Sequence, residues 1–83
     1  MTSDNPKTQL ETTEFLFAAF LRAKGILYIR TDWRTSNQAT FVFNLPSDDL
    51  LIAWQKADDV VSARALYDSL NFFRDEMRRS RNA

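Results

Sequence analysis

The chain has 83 residues, with 11 Lys+Arg balancing 11 Asp+Glu and 45% apolar residues, so it has room for one domain and no polybasic or disordered character. It contains no His, no Cys and a single Gly, which excludes disulfides, thiolate nucleophiles, Cys/His zinc sites, imidazole bases and glycine-rich phosphate loops. A chain this short buries only about 60–65% of the surface that its unfolded form exposes, which favours very close packing or oligomerisation.

Residues 1–7 are polar, include Pro6 and lack an apolar core. They are expected to be a disordered lead, with residues 8–80 as a single domain and 81–83 as a frayed end. There is no secretory pattern. The longest apolar run, Phe15 to Leu21, has seven residues against the roughly 18–20 of a spanning helix. The expected location is the cytoplasm, without membrane contact.

Thr8 to Thr12 reads either as an edge strand or as an extended lead-in. Thr12 or Thr13 then caps a helix that carries Glu14 in its first turn and runs to about Lys24. Gly25 follows as the left-handed residue after the helix end. Residues 26–31 and 39–45 are β-branched and aromatic, separated by the polar segment 32–38, and read as an antiparallel hairpin. Alternation assigns Leu27, Ile29, Phe41, Phe43 and Leu45 to the core face, leaving Ile26, Tyr28 and Arg30 opposite.

Pro46, Ser47 and the acids Asp48 and Asp49 mark a helix start, giving a short helix to about Ala57 with Leu50, Ala53, Trp54 and Ala57 on one side. Asp58 and Asp59 suit a second acidic helix start, and with no Gly or Pro beyond them a long helix is expected to about Arg79. The expected architecture is α+β in the order α-β-β-α-α, with the N-terminal segment as an optional third strand.

Two helices carry more than one apolar stripe. In the first, Phe15, Leu16, Ala19, Phe20 and Ala23 fill an arc of about 140°, and Phe17 and Leu21 fall on the other side. In the last, Ala63, Leu66, Leu70, Phe73 and Met77 form one stripe and Val61, Ala65 and Phe72 a second. The second stripes call for a cover, either another element of the chain or a symmetry mate. Phe17, Leu21, Val61, Ala65 and Phe72 are therefore the expected self-association residues of a homodimer.

Net neutrality hides charge blocks. Arg22, Lys24, Arg30 and Arg34 surround the hairpin, while Asp48, Asp49, Asp58 and Asp59 cluster at the helix junction. Arginines beside aromatics suit phosphates and bases, so Tyr28, Arg30, Trp33 and Arg34 form the expected surface for nucleic acid or another partner. A neutral balance weighs against a large phosphate footprint. The arginines near the C-terminus complement the helix dipole and pair with Asp75.

Catalysis without His or Cys would rest on paired carboxylates, lysine or serine. The adjacent acids all lie at helix starts, where both are stabilised as anions, and no serine lies in a nucleophile motif. The chain reads as a non-enzyme with no cofactor, no metal and no small-molecule substrate.

The segments TEFLFAAFLRAKG (13–25), FVF (41–43) and SARALY (62–67) together resemble a family of short bacterial and phage proteins known as a domain of unknown function. The resemblance implies a compact α+β domain in phage or mobile-element settings, with no activity or site residues. The reading is a self-associating interaction module; the alternatives are nucleic-acid binding through the hairpin and an inhibitor or adaptor of a host protein.

Overall fold

The computed structural model describes residues 8–35, 37–57 and 60–81, the last two of these by backbone alone. The chain is α+β, in the order β1 (Gln9–Thr12), α1 (Phe15–Ala23), β2 (Tyr28–Thr35), β3 (Gln38–Asn44), α2 (Asp48–Lys56) and α3 (Ala63–Arg81). The segment near the N-terminus is a strand, and the three strands form an antiparallel sheet in the order β1-β3-β2. Residues 1–7, Asp58, Asp59 and the last two residues lie outside the described residues, and with them the expectations placed there.

Placing β3 in the middle explains its burial. Phe41, Val42 and Phe43 are all at or below 2% exposure, because strands cover both edges and helices cover one face. On that covered face Phe73 of α3 meets Phe41 and Phe43 at ring-centroid distances of 5.0 and 6.0 Å, and Phe15 of α1 meets Phe41 edge-on at 6.3 Å. Such edge-to-face aromatic pairs contribute about 0.5–1.5 kcal/mol each beyond the area they bury.

α1 ends as its lone glycine requires. Gly25 has φ +89°, its N–H donates to the Arg22 carbonyl, and the Ile26 N–H donates to the Leu21 carbonyl, which satisfies the last helical acceptors. The start of α1 is built differently from expectation. Glu14 is the N-cap, with no side-chain cap bond, while the Thr12 hydroxyl accepts from the Glu14 N–H in a tight turn out of β1.

α2 has the expected cap, since Ser47 Oγ accepts from the Leu50 N–H at 3.3 Å. α3 starts at Ala63, later than the acidic pair suggests: Ser62 Oγ accepts from the Ala65 N–H, and the Ser62 carbonyl from the Leu66 N–H. A serine hydroxyl can close the first turn, whereas carboxylates further upstream in the sequence favour a helix start only through the dipole. Val61 consequently precedes the helix, and its stripe with Ala65 and Phe72 is not a helical stripe along its whole length.

Candidate functional site

At the start of β2 the core face is the reverse of the one alternation assigns, although Arg30 lies outside as expected. Tyr28 faces the helices, 5.6 Å from Phe43 and 5.2 Å from Phe73 between ring centroids, while Leu27 is 62% exposed and Ile29 36%. A bulge follows. Tyr28 pairs with Phe43 and Arg30 with Val42, so Ile29 is an extra residue. One inserted residue flips the facing of everything beyond it. Tyr28 and Thr31 thus share the inner face, with their hydroxyls 2.6 Å apart. Register also turns Trp33 inward opposite Ala39, and Trp33 packs against the core.

The same bulge puts the arginines outside. Arg30 Nε donates to both Asp32 oxygens, at 3.0 and 3.1 Å. Arg34 donates from Nε to Thr40 Oγ1 at 3.2 Å and lies 3.6 Å from Glu11. The open face of the sheet is therefore a lattice of compensated charge over Val42, whose neighbours in register are Glu11 and Arg30. Of the four residues expected to form a nucleic-acid surface, Tyr28 and Trp33 are inside and Arg30 and Arg34 are outside. The two rings of that set therefore lie on the opposite face of the sheet from its two guanidinium groups. Burial raises the Tyr28 phenol above its ordinary value of 10.0, against a smaller opposing effect of its bond to Thr31. The indole Nε1 of Trp33 is buried with no hydrogen-bond partner among the described residues.

The expected self-association residues are also redistributed. Phe17 and Leu21 are interior, at 9% and 0% exposure, so they cannot meet a symmetry mate without opening the fold. Their cover is the chain's own α2 and α3. The Trp54 ring lies 4.9 Å from Phe17 and 4.8 Å from Phe20. Phe72 is half-buried, edge-on to Tyr28 at 5.5 Å and under the Arg22 guanidinium at 4.1 Å. That guanidinium also donates from Nη1 to the fully buried Ser69 hydroxyl, tying α1 to α3. Val61 and Ala65 are half-buried.

What α2 leaves open is a groove of about 370 Å3. One wall is Leu16 and Phe20 of α1, the other is Ala53, Trp54 and Ala57 at the end of α2, and Val61 and Leu66 form the floor. All seven are apolar, Leu16 is 52% exposed, and neighbouring Val60 is 81% exposed. Lys24 Nζ donates to the Val60 carbonyl at 3.0 Å, fixing the α2–α3 connection against the end of α1. Sequence periodicity places Leu16 in the core, and only the position of α2 to one side of it leaves the side chain at a rim.

A second depression of about 530 Å3 carries Glu11, Glu14, Arg34 and four uncharged polar residues, but Arg34 is already engaged by Glu11 and Thr40. Among the described residues, no group of three or more His, Cys, Asp or Glu is placed to hold a metal ion, and no helix is long and apolar enough to cross a membrane. Comparison with protein-family models, with curated proteins and with solved structures finds no match.

Proposed function

We propose that the chain is a small non-enzymatic interaction module that self-associates as a homodimer through the groove between α1, α2 and the start of α3. The observation that carries this reading is the groove itself. It is lined only by apolar side chains, with Leu16 half in solvent at its rim. Open apolar surface of this kind is the usual mark of a contact site, and a domain this small gains stability from burying it against a second copy. The contact is thus assigned to Leu16, Val61 and their neighbours in place of Phe17 and Leu21.

Sedimentation velocity over a concentration series up to tens of micromolar tests it. The expected mass is that of two chains, and Leu16→Glu restores the mass of one chain, with a melting temperature equal to that of the wild type only at dilutions where both are single chains. A wild-type chain that stays single over the whole series rejects self-association. A dimer unaffected by Leu16→Glu removes the groove as its interface.

A further inference from the structure

We propose that α2 is a hinged wall of this groove, able to swing away from α1 as a unit while the sheet, α1 and α3 stay folded. Three observations on different parts of the segment converge. First, no residue of α2 is buried, whereas α1 has five buried residues in a helix of the same length. Its hold on the fold is by side chains at the surface of the core, above all Trp54 resting on Phe17 and Phe20. Leu50 and Leu51, both half-buried, add to it.

Second, α2 is closed at both ends by its own caps and can move as a unit. Ser47 caps its start, and Ala57, at its exit, is left-handed with φ +56° and donates its N–H to the Ala53 and Trp54 carbonyls. Ala57 is the only non-glycine with positive φ among the described residues. A Cβ in that region is unfavourable, so the end of α2 is held less firmly than one closed by glycine, as at Gly25. Third, the connection that follows is held to α1 by a contact at the surface, the Lys24 ammonium on the Val60 carbonyl.

The consequence concerns the groove. Ala53, Trp54 and Ala57 make up one of its walls, so movement of α2 widens it and uncovers Phe17 and Phe20 beneath. The functional importance of that movement rests on the groove being the contact surface. The hinge itself does not, and its test is made on the dilute, single chain.

A helix of nine residues is marginal once it leaves its docking surface, so its amides become exchangeable on opening and hydrogen exchange reads the hinge. Amides late in α2 are expected to exchange roughly tenfold or more faster than those late in α1 and in β3, at a rate nearly insensitive to low urea, because a local opening exposes little surface. Equal protection and equal urea dependence in α1 and α2 would overturn the proposal. Trp54→Ala supplies a second arm. The expected result is loss of protection in α2 with β3 amides still protected, and loss in both to the same extent counts against a hinge.

Discussion

The α1–β3–α3 layer and α2 are built from the same residue types and behave as different materials. Phe41, Val42, Phe43 and Phe73 are enclosed on every side, so each pairs with several neighbours and none can leave without a cavity. α2 is as amphipathic in sequence, with Leu50, Leu51 and Trp54 on its inner side, yet it lies on the outside of α1 and only half-buries them. The difference teaches that an apolar stripe specifies that a helix will dock. How firmly it docks depends on how many other elements close over it.

Four substitutions bear on that contrast. Phe73→Ala empties the centre of the layer, and the expected loss is about 3–5 kcal/mol in urea unfolding; a loss below 1 kcal/mol would place the core elsewhere. Trp54→Ala should cost less, about 1–3 kcal/mol, because its ring is partly in solvent and α2 can part from the rest. A cost equal to that of Phe73→Ala would make α2 part of the core. Tyr28 gives the same comparison through pH. Its phenol is raised by burial, so the folded state holds the proton more tightly than the unfolded one. That stability is fully present below the ordinary value of 10.0 and is lost as pH rises through the folded value. The wild-type unfolding midpoint should fall in this alkaline range, and Tyr28→Phe should remove most of that slope. A smaller effect is on the other side of the contrast: Ala57→Gly relieves the left-handed residue and should stabilise by about 0.5–1 kcal/mol, with slower exchange confined to α2.

The open sheet face sets the lower limit of this scale. Arg30 and Asp32 are both about half-exposed, so the pair between them is screened by solvent. Arg30→Gln is expected to change stability by no more than about 0.5 kcal/mol.

Much of the framework was legible residue by residue. Ser47 and Gly25 sit at helix ends because local backbone geometry demands a hydroxyl in one case and a missing Cβ in the other. Phe41 and Phe43 point inward because alternation holds along the regular strand β3. In β2 the same rule fails at Ile29, where a bulge, set by pairing with β3, reverses the faces. No local signal marked it, since Ile26 to Arg30 is equally acceptable in either phase. The candidate site was legible only in part. Leu16, Ala53 and Val61 appeared as apolar positions, but their convergence on one groove depends on where α2 rests.

By itself the sequence determined which residue types are missing, the α+β class, the end of α1 at Gly25, the start of α2 at Ser47 and the supply of more apolar stripes than one layer needs. Those properties follow from residue types and their spacing within a single element. Only the tertiary structure decided that Phe17 and Leu21 are covered from within, that Tyr28 and Trp33 turn away from Arg30 and Arg34, and that Leu16 is left at a rim. Each of those outcomes is a competition between distant elements for the same apolar surface, and it is settled by which of them pack together.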